Sequence, residues 1–313
     1  MLPALPTKLE AHELPRGLSR LGNNPLDVYY LTGELPPRPW VAIVGTRAPT
    51  REGCRFAFIL ARRLSEASVS VLSGGAIGID AAAHLGALRA GGRTLVVAPS
   101  GWLRPSPVTH HRLFRSIVER GGGHLSLSEP EQVAARWTFL RRNRCMVAMA
   151  DAAVVVEAPL RSGARNAAAS ARKLGTKLFV VPSAPWSPKG RGCLAELRAG
   201  ATLLESHADV LRYLEQKGLL AGAAQQLSLM HAPTEPDPPS KRAAPPANVG
   251  AAAEPAGDAA RVMVALRQGA RHVAEVCAYT GLDVPRVQNE IFTLRLQGVV
   301  HVDPTGTLSL LTA

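Results

Sequence analysis

From Trp40 to about residue 216, short apolar runs alternate with longer amphipathic stretches, and each run ends in small or glycine-rich residues. The runs are too short for helices and are mostly bounded by Gly, Pro or Ser. They therefore read as strands at Val41–Val44, Val69–Ser73, Thr94–Ala98, His124–Leu127, Ala153–Glu157 and Lys177–Val181. Helices fit between them, among them Gly53–Ser65, Ile79–Arg89, His110–Arg120 and Ala164–Leu174. In the last of these, Ala167, Ala168, Ala171 and Leu174 share one face. The segment Ala153–Ala158, AVVVEA, is apolar on both faces, as a parallel sheet covered by helices on both sides requires. The pattern predicts an α/β fold: an extended, Rossmann-like, doubly wound and mainly parallel sheet over 40–216, after a short N-terminal segment, 1–39.

Beyond it the pattern breaks. Residues 217–257 turn to Pro and Ala, with seven prolines between Pro233 and Pro255, and read as a linker. Asp258 can then cap a helix to about Gln268. A second apolar segment follows at His272–Tyr279, Thr280-Gly281 makes a turn, and a third helix opens at Leu282–Pro285 and runs to Gln297. With VVHVDPTGTLSLL read as a two-stranded wing, residues 258–313 predict a small winged-helix domain.

Charge sharpens this division. Residues 41–210 carry 23 basic and 11 acidic side chains, which is the whole net excess of +12; the flanking segments are each neutral. A basic α/β domain attracts polyanions. The winged helix is electrically flat, its third helix offering Arg286 and Arg295 against Glu290, so contact with protein is favoured over DNA reading there. No segment holds about 18 apolar residues without a charge, and the N-terminus lacks an export signal, so a cytoplasmic protein without membrane contact is expected. The cysteines Cys54, Cys145, Cys193 and Cys277 are scattered, with no metal-ligand spacing; they read as buried thiols, and no metal or cofactor is predicted.

Candidate chemistry lies where the strands end. Gly45-Thr46-Arg47 and Ser73-Gly74-Gly75-Ala76-Ile77-Gly78 each follow a strand and precede a helix, where free amides and a helix N-terminus favour phosphate. Neither is a dinucleotide fingerprint, no Walker-type loop occurs, and taken singly each glycine turn reads better as an ordinary structural turn of an α/β sheet. Arg136-Trp137-Thr138-Phe139-Leu140-Arg141-Arg142-Asn143-Arg144 sets four arginines among two aromatic residues. That mixture suits single strands, whose phosphates take guanidinium forks and whose bases stack on rings. The competing reading, with Trp137 and Phe139 in the core and the arginines on a solvated face, is slightly less favoured. Ser162-Gly163-Ala164 repeats the strand, turn and helix arrangement. Asp80 and His84 stand at i, i+4; capping and packing explain them better than an acid/base pair does.

Taken in order, these segments resemble the DprA/Smf family of DNA-processing proteins, known from bacterial natural transformation. The resemblance rests on VAIVGTR, SGGAIGIDAAAHLGAL, SEP at Ser128–Pro130, RNR at Arg142–Arg144, VVVEA at Val154–Ala158, SG at Ser162, VP at Val181, and GC at Gly192 followed by GA at Gly200. It covers about residues 25–211. It implies single-stranded DNA held in a positive pocket, a homodimer, and loading of RecA recombinase onto the strand. Arg47, Ser73, Gly74, Gly75, Arg142, Asn143 and Arg144 would contact phosphate, with Ser162 and Gly163 near the same pocket; Arg141 joins the candidates through the basic stretch. No catalytic role is implied. The chain departs from the family pattern at Ile77, where Arg is usual, at Ser106 and His110, at Leu140 in place of Pro, and at Ala167 in place of Thr.

Two function classes compete. A binding module needs basic residues around the pocket and no catalytic carboxylate. A nucleotide phosphoribohydrolase on the same sheet needs a phosphate-gripping loop followed by Glu, whereas Ser162–Asn166 leads into a helix with no acid before residue 175. The expectation is therefore a non-enzymatic single-stranded DNA-binding protein.

Overall fold

The computed structural model describes residues 5–22, 29–220, 257–296, 299–302 and 307–311. The chain divides into two compact units, Met1–Ala224 and Gln225–Ala313.

The first unit is built on a nine-stranded sheet in the order β1-β2-β6-β5-β4-β3-β7-β8-β9. Its parallel part comprises β3 (Trp40–Val44), β4 (Ser70–Ser73), β5 (Thr94–Ala98), β6 (Gly123–Ser126), β7 (Ala152–Val155), β8 (Lys177–Val180) and β9 (Thr202–Leu203). From β3 the chain winds outward through β4, β5 and β6. It then returns to pair β7 against the other side of β3 and continues to β8 and β9. The winding reverses between β3 and β7, where an open α/β sheet has its ligand crevice, outside the strands' carboxyl ends.

Every residue of β3, β4, β5 and β7 is buried, as their unbroken apolar character requires. The helices are α1 (Arg51–Glu66), α2 (Ile79–Arg89), α3 (His111–Glu119), α4 (Arg136–Met149), α5 (Gly163–Leu174), α6 (Arg191–Arg198) and α7 (His207–Gln216). Local chemistry sets several of their ends. The Thr50 hydroxyl caps α1 by accepting from the Gly53 amide at 3.0 Å. Ser162 caps α5, which ends at Gly175 in the left-handed conformation. The core joins the inner faces of α4 and α5 to the sheet, among them Cys145, Met146, Met149, Ala167, Ala168 and Ala171 against Ala42, Val44, Leu95, Ala153 and Val155.

The segment 1–39, expected only as a short leading piece, supplies sheet structure. β1 (Thr7–Lys8) pairs with β2 (Tyr30–Gly33), and β2 runs antiparallel to β6. A short 3-10 helix, Arg16–Leu21, docks beneath α4. There the Arg20 guanidinium donates to the carbonyls of Ala148, Ala150 and Leu174 and to the Thr176 hydroxyl. One cation thus meets carbonyls at the C-terminal ends of both α4 and α5.

In the second unit, helices α8 (Asp258–Arg267), α9 (Val273–Thr280) and α10 (Val284–Leu296) precede an antiparallel pair, β10 (Val300–Val302) with β11 (Leu308–Leu310). Val262, Leu266, Val276, Leu282, Val287, Ile291, Leu294, Val300 and Leu308 form its own core. Most of the expected linker, from residue 221 to 256, lies outside the described residues. Three of the four cysteines are buried thiols; Cys277 is only half-buried. Among the described residues, no helix is long and apolar enough to cross a membrane.

Candidate nucleic-acid interface

A cleft of about 340 Å³ opens at the reversal point, above the carboxyl ends of β3 and β7. Four segments line it: Val44–Arg47 after β3, Ala76 and Asp80 after β4, Phe139, Arg142 and Asn143 from α4, and Pro159 with Arg161–Ala164 and Ala167 after β7. The N-terminus of α5 therefore faces into the cleft, with no acidic residue in its first turn and the Gly163 α-carbon bordering open space. The helix dipole and the first-turn amides, of which that of Arg165 donates to the Ser162 hydroxyl at 3.4 Å, give this wall a partial positive charge. The opposite wall carries an exposed guanidinium: Arg47 lies 5.0 Å from the centroid of the Phe139 ring, in cation–π range.

The floor is a buried arginine. Arg142 Nη1 donates to the carbonyls of Gly74 and, at 2.9 Å, Val97, while Nε donates to Asn143 Oδ1 at 2.8 Å. Asn143 Nδ2 in turn donates to the Gly163 carbonyl at 3.2 Å, which ties α4 to the α5 N-terminus. Beside Arg142, the buried Asp80 carboxylate accepts from the amides of Gly74 at 3.1 Å and Ala76 at 3.4 Å. Burial pushes the Asp80 carboxyl up in pKa, against the pull of Arg142 and these amides, and burial likewise lowers the Arg142 guanidinium against the pull of Asp80. Gly74 is required here, because a Cβ would overlap the Arg142 guanidinium.

The predicted residues thus separate into three groups. Arg47, Arg142, Asn143, Ser162 and Gly163 come together at the cleft. Ser73, Gly74 and Gly75 are buried beneath it: Ser73 Oγ donates to the Ile43 carbonyl at 2.6 Å, and the Gly75 carbonyl meets His110 Nδ1 at 2.9 Å. Arg141 and Arg144 project from other faces of α4; Arg141 reaches the Leu127 carbonyl at 3.4 Å, and Arg144 is exposed. Adjacent helical positions differ by about 100°, so a run of arginines cannot all face one cleft. Trp137 and Leu140 lie 54% and 49% exposed, so the Trp137 ring is not part of the core. Of the departures from the family pattern, Ala167 lines the cleft and Ile77, next to Ala76, is exposed.

Sequence reasoning missed several participants. Pro159 and Arg161 belong to no recognised pattern, yet line the cleft. Glu157, at the end of the β7 run, accepts from the Thr50 amide at 2.8 Å and hydroxyl at 2.9 Å, and so fixes the loop that carries Arg47. Behind the β4–α2 turn stands a buried histidine group. His84 Nδ1 meets the Thr94 hydroxyl at 2.8 Å, and His124 packs against Trp102 and Phe114. Burial lowers their pKa values, to about 3 for His84 and about 4 for His124. His84 is thus a packed, neutral histidine, and Asp80 caps the turn; neither acts as an acid/base partner of the other.

The comparisons with known proteins bear on the same region. A family model described as DNA recombination-mediator protein A matches residues 7–215. The chain belongs to this family. A Mycobacterium tuberculosis relative carrying the DprA name is 44% identical over 206 residues, covering 64% of this chain and 52% of the relative. The DNA processing protein DprA of Streptococcus pneumoniae is 33% identical over 204 residues, 64% of this chain and 71% of that one. Among solved structures, DNA processing protein A from Helicobacter pylori, described for its single-stranded DNA binding mode, superposes with a TM-score of 0.60 at 28% identity over 68% of this chain and 96% of that one. The chain spans about half the length of the M. tuberculosis relative.

Proposed function

We propose that the cleft holds single-stranded DNA and that the protein is a binding protein of DNA uptake and recombination. The observation that carries this reading is that one crevice is lined by the acid-free α5 N-terminus, by Arg47 and by the Phe139 ring, with Arg47 5.0 Å from that ring. Phosphate fits the amides and guanidinia, and an unpaired strand presents its phosphates together with open base faces, which a duplex does not. The single-strand binding described for the H. pylori relative supports it. A hydrolase is less well supported, because both carboxylates nearest the cleft are committed: Asp80 to backbone amides and Glu157 to Thr50.

Three further proposals follow from family membership and the family resemblance. The protein acts as a homodimer in the cytoplasm, it delivers RecA onto the bound strand, and residues 258–313 are a winged helix that contacts protein. The function is tested by fluorescence anisotropy of labelled single-stranded and duplex oligonucleotides over a salt series. Preference for the single strand, with log affinity falling at a slope of about −0.7 per phosphate contacted, supports it. Equal binding of duplex, or no binding at low salt by folded protein, refutes it.

A further inference from the structure

Trp186 is 84% exposed in the connection between β8 and α6, although a tryptophan ring is among the largest apolar surfaces that a chain can bury. Its connection follows a carboxyl end of the sheet, beside the β7–α5 loop that forms one wall of the cleft. We propose that residues 182–190 form a second contact surface for the single strand held in the cleft, with Trp186 as a base-stacking platform. This rests on the single-strand reading of the cleft.

The connection is tied to the cleft at two points. Lys189 Nζ donates to the Pro49 carbonyl at 3.3 Å, two residues beyond Arg47. The Gly192 amide donates to the Ala158 carbonyl at 2.8 Å, and a Cβ at Gly192 would collide with the carbonyls of Ala158 and Pro159, the latter a cleft-lining residue. Leading up to these ties, Ser187 N donates to the Ala184 carbonyl at 2.9 Å and Gly190 N to the Ser187 carbonyl at 3.2 Å, so that one turn encloses Trp186. Pro182, Pro185 and Pro188 fix three backbone φ angles. The ring is thus presented on a braced loop, which lowers the ordering cost of stacking against it.

Charge selects the occupant. The three loops at this edge, residues 45–53, 158–165 and 182–192, carry Arg47, Arg51, Arg161, Arg165, Lys189 and Arg191 against a single acid, Glu52. Arg165 is paired with the buried Glu196 at 2.8 Å. An apolar ring within a cationic rim matches a chain of phosphates with accessible base faces, and duplex DNA hides those faces. A strand leaving the cleft past Arg161 would cross the β8–α6 connection next.

The test compares oligo-dT of about 5 nucleotides, enough for the cleft, with oligo-dT of about 20 nucleotides, enough to reach Trp186. Trp186→Ala is expected to weaken the long strand by about tenfold, leave the short one unchanged, and leave the melting temperature unchanged; Trp186→Phe restores most of the loss. Tryptophan fluorescence quenching by the long strand should shrink in Trp186→Phe. Wild-type affinity of Trp186→Ala for both lengths overturns the proposal, as does an equal loss on both. A change of oligomeric mass without a change in DNA affinity also overturns it and marks the ring as a protein contact. If the wild-type protein binds neither length, the cleft reading itself has failed and this inference falls with it.

Discussion

Replacing Arg142 should cost stability before it costs binding. Its guanidinium is buried, donates to two backbone carbonyls and to Asn143, and faces the buried Asp80. Arg142→Ala leaves those carbonyls without their donor and Asp80 without its nearest cation. Leaving these buried acceptors without their donor costs about 3–5 kcal/mol in all, at about 1–3 kcal/mol per group, which is a large part of the roughly 5–15 kcal/mol that holds a domain. In a unit of this size each kcal/mol lowers the midpoint by about 2–4 °C, so a loss of about 6–20 °C is expected. Differential scanning calorimetry reads it directly. Adding Asp80→Asn to Arg142→Ala should recover part of the loss, because the carboxylate no longer lacks its counterion, and the double-mutant cycle gives the coupling. A midpoint for Arg142→Ala within about 2 °C of wild type would refute the reasoning, and Arg142 would then be a surface contact for DNA rather than the floor of the cleft.

Other consequences can be checked with similar means. Gly74→Ala drives a methyl into the Arg142 guanidinium and should destabilise nearly as much as Arg142→Ala, whereas Gly163→Ala, beside open space, should melt near the wild type; the reverse order would contradict the packing. His84 and His124 are held neutral, to about pH 3 and about pH 4, so the unfolded chain takes up protons there first as the pH falls below its ordinary histidine pKa. Their contribution is intact above about pH 6.5 and is lost as acid is added, by roughly 2 kcal/mol each at about pH 5. Urea unfolding at neutral and acid pH should show this loss, and His124→Phe should remove about half of it; an identical pH dependence in that variant would sink the assignment.

The sheet was legible because its strands are buried on both faces. The six apolar runs from Val41 to Val181 all correspond to strands, displaced by a residue or two at most of their ends. β1 and β9, two residues each, carry too little pattern to be read, and β2 is a half-polar edge neighbour ahead of the Pro-rich stretch at residues 36–39. The helix α4 escaped notice for a different reason. Its inward face includes Thr138, Arg142 and Asn143, which a hydrophobic periodicity cannot register. Polar residues buried against local rules mark functional or strained sites, and here the failed pattern and the candidate site coincide. Arg142 and Asn143, singled out in the sequence as donors for phosphate, do line the cleft. Which arginines face the cleft follows from helix geometry, and no run of letters shows the separation of Arg144 from Arg142. Glu157 was legible only as a strand end, since its partner Thr50 lies 107 residues away.

The central claim, that the cleft holds single-stranded DNA, is tested most directly at the two arginines that line it without holding the fold together. Arg47 and Arg161 are exposed, and both border the crevice. The measurement is anisotropy of a labelled oligo-dT over a salt series, for wild type and for Arg47→Ala with Arg161→Ala, alongside calorimetry. The account predicts an unchanged melting temperature, a loss of affinity of at least about tenfold, and a salt slope shallower by about 1.4 for two lost phosphate contacts. A folded double variant that binds the strand with wild-type affinity and slope would place the nucleic acid elsewhere on the molecule and contradict the account.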